Sequence, residues 1–267
     1  MRIPFQIESR NKNILGLFHI AARQKNIPIV VVMCYGLNGN RVEQHRMSVK
    51  MGDLLQEKGI NMVRFDYCNT GVSEGNFFDT TIVERRKNLI DICNYINGCF
   101  NRKIKIYLIG FSDGAKIAAN TAHDIPECSG VIFWNPIIKI PSIDKDAQKK
   151  KYLSGKLKLH PIYKKPYKPL FGSCLSDKLM REIENDKSLS LLYKQSEKLF
   201  IFAECDNLTR EIRKYLTREF ASFSEVTFHV IEGSNHLFCH SEHEKSVCST
   251  TINWILSRQD NEDISIV

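Results

Sequence analysis

The 267-residue chain contains no apolar run near the roughly 18–20 residues needed to cross a bilayer. Its longest, Pro28-Ile29-Val30-Val31-Val32-Met33-Cys34, has the length of one buried strand, so no membrane span is expected. The N-terminus, Met1-Arg2-Ile3-Pro4-Phe5, lacks the apolar core of a signal peptide. A Cys-x-x-Cys pair is also missing: the nine cysteines are scattered and odd in number. Without an export signal, that pattern fits reduced thiols in a cytoplasmic protein better than a disulfide framework. There is no internal repeat and no low-complexity tract. What is present is the composition of an ordinary soluble globular protein, 43% hydrophobic and 25% charged, long enough for one large core.

Short apolar runs alternate with amphipathic stretches. Ile3–Ser9 and Ile14–Ile20 flank the polar run Arg10-Asn11-Lys12-Asn13 and read as a hairpin. Strands follow at Ile29–Cys34, Ile60–Asp66, Ile104–Ile109, Gly130–Trp134, Lys198–Ala203 and Glu225–Ile231. Helices are predicted at about Val42–Lys58, Thr81–Ile96, Ser112–His123, Thr209–Ser222 and Ser241–Ser257, with a loose tail from Asp260 to Val267. Continuous rather than alternating apolar strands, separated by helices, imply a mostly parallel sheet covered on both faces, with antiparallel strands at one edge. The segment from about 139 to 196 breaks this rhythm. It holds Pro141, Pro161, Pro166 and Pro169 and only weakly helical patches, and it is too long for an ordinary loop. It reads as a small cap inserted into a single domain spanning 1–267.

Gly110-Phe111-Ser112-Asp113-Gly114 follows one of these strands directly and opens a helix. A Gly-x-Ser-x-Gly pattern alone is weak, but a strand-to-helix position is the one a nucleophile elbow requires. There the serine sits on a strained turn above a helix N-terminus, which favours a developing oxyanion. The alternative is a glycine-rich connection whose serine merely caps the helix.

Serine needs a base. In chains with such an elbow the acid and then the histidine follow the serine, which removes His19 and His45. His123 lies near the elbow helix, His160 in the cap and His229 inside a strand. His236, in the polar loop Glu232-Gly233-Ser234-Asn235-His236 after the last strand, is the candidate base. His236, His240 and His243 have helical spacing, but no carboxylate or cysteine constellation completes a metal site, and neither metal nor cofactor is expected. Asp206, in Glu204-Cys205-Asp206-Asn207 after the strand ending at Ala203, is the candidate acid. Glu204 is its rival, and a helix cap is the alternative role for Asp206. The oxyanion donors would be the backbone N–H groups of Asp113 and Leu37.

Four blocks together resemble one family: Tyr35-Gly36-Leu37-Asn38-Gly39, the Arg64–Gly75 loop, the elbow, and Gly233-Ser234-Asn235-His236-Leu237-Phe238. The chain is similar to α/β-hydrolases of the serine aminopeptidase-like group, which includes cinnamoyl and feruloyl esterases and exosortase-associated hydrolases. The likeness covers most of 14–140 and 198–257 and leaves the cap unmatched. It implies that the Arg64–Gly75 loop is structural, so Ser73 is no rival nucleophile. Tyr35 stands where the family has histidine, and Asn69 and Ala115 stand where it has glycine.

The reading that results is a serine hydrolase, Ser112–His236–Asp206, acting on a carboxylic ester or thioester through an acyl-serine intermediate. Transfer or hydrolysis of a carrier-bound acyl group, amide cleavage, and an inactive binding protein of the same fold are the competing readings. Net charge is +8, and Lys139–Lys168 holds ten lysines against Asp144 and Asp146. Over Ser112, these lysines would favour an anionic substrate or an acidic partner such as an acyl carrier protein; otherwise they form a solvated charged face. No nucleic-acid-binding module is recognisable. Oligomeric state is not legible in the sequence.

Overall fold

The computed structural model describes residues 1–24, 26–140, 157–170, 172–194 and 197–263. Pro141, Lys145, Lys149, Lys150, Lys151, Tyr152, Lys156, Phe171 and the two acids Asp144 and Asp146 lie outside the described residues, so much of the lysine cluster does too.

An eight-stranded sheet has the order β1-β2-β4-β3-β5-β6-β10-β11. β1 (Arg2–Ser9) and β2 (Lys12–His19) form the expected hairpin. Its turn is only Arg10-Asn11, both with φ near +57°, the left-handed geometry that matches strand twist in two-residue hairpins. β2 pairs antiparallel with β4 (Asn61–Phe65). From there β3 (Ile29–Cys34), β5 (Lys105–Phe111), β6 (Cys128–Trp134), β10 (Lys198–Ala203) and β11 (Val226–Ile231) run parallel. Their carboxyl ends therefore gather at one edge, and the loops that follow them meet there.

Alternate residues of the central strands feed two cores. Val30, Val32, Leu108, Val131, Phe133, Phe200 and Phe202 pack on one face, under α2 (Ile82–Gly98), α3 (Gly114–Thr121) and α6 (Arg210–Glu219). Val31, Met33, Ile109, Ile132, Trp134, Leu199 and Ile201 pack on the other, under α1 (Met47–Glu57) and α7 (Ser241–Asp263). Burial on both faces is why these strands read as unbroken apolar runs.

Three expectations need correction. The first helix begins at Met47, not near Val42. Glu43, His45 and Arg46 have φ of 58°, 40° and 63°, because the side chains of Glu43 and His45 are spent on tertiary contacts incompatible with a helix. The last helix runs on to Asp263, since no glycine or proline interrupts Arg258–Asp263; residues 264–267 lie outside the described set. The inserted segment holds a three-stranded antiparallel sheet, β7 (Lys158–Leu159), β8 (Pro166–Leu170) and β9 (Ser173–Ser176), before α4 (Asp177–Glu184) and α5 (Ser188–Leu192). Strands this short, two of them rich in lysine and proline, show no readable alternation.

Candidate active site

Ser112 stands between β5 and α3 with φ +54°, a strained position for a residue with a Cβ. Its backbone is pinned: its N–H donates to Trp134 O at 2.9 Å and its carbonyl accepts from Ile137 N at 3.0 Å. Both flanking glycines are required by close approach. A Cβ on Gly114 would sit 2.0 Å from Cys34 O, and one on Gly110 would sit 2.7 Å from Ala115 Cα. Ser112 remains 9% exposed, and its hydroxyl points toward the loop after β11.

His236 lies on that loop, with Nε2 3.0 Å from Ser112 Oγ and Nδ1 2.7 Å from Asp206 Oδ2. An ionised carboxylate only accepts, so Nδ1 carries the hydrogen and Nε2 is left to accept from the serine hydroxyl. The ring of Phe111 stacks on the imidazole at 5.6 Å between centroids. Asp206 also accepts from Leu208 N at 2.9 Å and Thr209 Oγ1 at 2.6 Å. Both donors precede the helix Arg210–Glu219, so Asp206 braces the loop before it and does not cap its N–H groups. Burial pushes the Asp206 carboxyl up, but the hydrogen bond and charge of His236, with those two donors, outweigh it and hold it below the ordinary aspartate value. The rival, Glu204, is exposed and accepts from Gly233 N instead.

Across from the elbow, Gly36 abuts Ser112: a Cβ there would stand 3.4 Å from Ser112 Cβ and 3.8 Å from Oγ. Among the described residues, neither the N–H of Leu37 nor that of Asp113 has a hydrogen-bond acceptor. The Leu37 carbonyl accepts from Arg85 Nη2 at 2.9 Å. Cap and loop also meet here: Leu37 and Phe77 pack against the buried Leu175, Leu179 and Met180.

No protein-family model matches the chain, and no curated protein matches it. Solved structures do. Est1E from Butyrivibrio proteoclasticus, with ferulic acid bound, superposes with a TM-score of 0.77 at 18% identity, over 95% of this chain and 98% of its own. An alpha-beta serine hydrolase homologue from Coxiella burnetii gives 0.62 at 17% identity, over 94% and 96%. XC6422 from Xanthomonas campestris, described as an a/b serine hydrolase without lid, gives 0.64 at 13% identity, over 96% and 94%. The chain has the α/β-hydrolase fold.

Within that fold the remaining histidines are placed elsewhere. His19 is fully buried, accepting from Arg64 Nε at 2.9 Å, and burial together with the Arg64 charge lowers it to about 4. His160 packs at steep angles against the rings of Tyr163 and Tyr167 in the cap and of Phe78 beside it. His240 and His243 pack against each other edge to face. Ser73 donates to Asp66 O and accepts from Leu15 N, which ties the Arg64–Gly75 loop to β2. Asn69 does adopt the left-handed geometry, with φ +72°. Tyr35, at the family's histidine position, is fully buried; its hydroxyl lies 2.5 Å from Thr70 Oγ1 and accepts from Tyr67 N, joining the Leu37 loop to the Arg64–Gly75 loop.

One residue at this edge of the α/β-hydrolase sheet escaped sequence reasoning. Asn135 ends β6 with φ +42° and is fully buried; its Nδ2 donates to His236 O at 2.8 Å and its Oδ1 accepts from Ala203 N at 2.7 Å. It fixes the His236 loop to the strand that carries Asp206. The only sequence signal is an asparagine, tolerant of left-handed backbone, directly after a buried strand. Two open cavities lie near the cap, and neither is lined by Ser112 or His236. One of about 390 Å³ is walled by Asn38, Asn40, Asn69, Asn76 and Phe77 beside the Leu37 loop. The other, of about 660 Å³, mixes Arg10, Lys12, Lys87, Lys165 and Lys178 with Asp79, Glu84 and Asp177.

Proposed function

We propose that the chain is a serine hydrolase that cleaves a carboxylic ester or thioester through an acyl-Ser112 intermediate. The observation that carries this reading is the continuous hydrogen-bonded chain from Ser112 through His236 to Asp206 on a strained elbow. His236 Nε2 accepts the Oγ proton as Oγ bonds to the carbonyl carbon. The carbonyl oxygen becomes an oxyanion facing the Leu37 and Asp113 N–H groups, both open to an acceptor among the described residues. Collapse breaks the bond to the leaving group, which takes the proton from His236. Water then loses a proton to His236 as it attacks the acyl carbon, and His236 returns that proton to Oγ as the C–Oγ bond breaks, releasing the acid and free Ser112. Asp206 keeps the imidazole in the required tautomer and stabilises the imidazolium.

The similarity to Est1E, which binds ferulic acid, supports a small acyl group and the esterase-like end of the group that the sequence resembles. A second reading, an acyl group bearing an anion or borne by an acidic carrier, has one specific support. Lys168 is buried with its Nζ unpartnered, and its strand position shares a sheet face with Leu170 and Leu175, which pack toward Leu37.

A panel of p-nitrophenyl esters and acyl N-acetylcysteamine thioesters, each as neutral and carboxylate-bearing pairs, tests both readings. Turnover that vanishes in Ser112→Ala is expected. Turnover unchanged by that substitution, or none on any substrate, contradicts the hydrolase reading. Equal kcat/KM for butyryl and succinyl pairs removes the anionic one.

A further inference from the structure

Residues 43–46 carry unusual backbone strain. Glu43 has φ 58° and ψ 173°, a region otherwise left to glycine, and His45 and Arg46 also have positive φ. Surrounding contacts must over-determine such a conformation, and they converge on the reacting edge. Glu43 Oε1 accepts from Gly36 N at 3.2 Å, and a Cβ on Gly39 would stand only 2.7 Å from it. His45 Nε2 bonds Leu237 O at 2.8 Å, one residue beyond His236.

Three successive peptides of the loop after β3 are each held by a different partner. The Gly36 N–H donates to Glu43, the Gly36 carbonyl accepts from Gly39 N at 3.1 Å, and the Leu37 carbonyl accepts from Arg85 on α2. Arg85 is itself fixed over the Tyr67 ring at 5.2 Å and is 3% exposed. The Leu37 N–H, which the hydrolase reading uses as an oxyanion donor, is left without an acceptor among the described residues, as is the N–H of Asn38 beside it.

We infer that Glu43, with Arg85 as its counterpart on the opposite side, is a positioning residue that aims the Leu37 N–H at the oxyanion. This rests on the hydrolase reading. It gives the strain at Glu43, which lies outside α1, a role. The bond needs an acceptor oxygen rather than a charge. Burial raises the Glu43 carboxyl to about 7, against the opposing Gly36 and Gln44 N–H bonds and the charges of His236 and His45, and either protonation state leaves Oε1 able to accept.

The test is steady-state hydrolysis of p-nitrophenyl acetate by the full chain, with thermal midpoints measured alongside. Glu43→Gly removes the acceptor and relieves the strain, so a kcat lower by about 10–100-fold, a nearly unchanged KM and a midpoint at or above wild type are expected. Glu43→Gln keeps the acceptor and should retain kcat within about threefold. Wild-type kcat in Glu43→Gly, a fallen midpoint with the lost activity, or Glu43→Gln as slow as Glu43→Gly overturns the inference while leaving the hydrolase reading in place. A wild type with no Ser112-dependent turnover overturns both.

Discussion

The body and the inserted cap hold themselves together on different scales. The body stacks two apolar layers on an eight-stranded sheet, with Phe133, Trp134, Phe200 and Ile201 wholly buried among them. The separate cluster in the cap has three buried side chains, Leu175, Leu179 and Met180, completed by borrowing Leu37 and Phe77 from the body. Fully burying one such side chain is worth roughly 1.5–3 kcal/mol, so the body can hold Ser112, Glu43 and Asn135 at positive φ. Among the described residues, the cap has no such reserve. The strained positions of the candidate site rest on the deep core, and the described part of the cap rests on a smaller one.

Substitutions in each region sharpen this contrast. The largest effect belongs to the body: Ser112→Ala should lower ester turnover by about 10⁴-fold or more, read from kcat at saturating substrate, with little change in unfolding midpoint. Next is Asp206→Asn, which leaves the imidazole without its acceptor. A loss of roughly 10³–10⁴-fold in kcat is expected with KM nearly constant, and a loss below tenfold would move the acid elsewhere. Stability comes third. His19 sits neutral in the fold at about 4 while the unfolded chain protonates it near 6.5. Between those values the unfolded state binds more protons, so stability present above pH 6.5 is lost as pH falls toward 4, by up to about 3 kcal/mol. Urea midpoints from pH 7 to 4 measure it, and His19→Gln should flatten the slope. The smallest stability change belongs to the cap: Leu175→Ala should cost about 2 kcal/mol or less, because its cluster can collapse, while raising KM more than it lowers kcat. Phe200→Ala in the body should cost about 3–5 kcal/mol. Equal losses at the two sites would break the comparison.

How much of this is legible in the sequence follows the same division. Central strands such as Ile29–Cys34 are buried on both faces and declare themselves as apolar runs. Ser112 and Asp206 each follow such a strand and His236 follows the edge strand β11, and the structure joins the three in one hydrogen-bonded chain. The cap strands hide because two to five residues carrying lysine and proline leave no period to read. Asn135 and Glu43 hide for another reason. Their partners, His236, Ala203 and Gly36, belong to other loops and strands, and nothing in the local sequence announces those contacts.

The central claim is that Ser112 is the nucleophile. Reacting the chain with a fluorophosphonate at neutral pH and mapping the adduct by peptide mass spectrometry tests it most directly. A single adduct on Ser112, lost in Ser112→Ala and strongly slowed in His236→Ala, is the predicted result; no adduct, or one on another residue that survives Ser112→Ala, would contradict it.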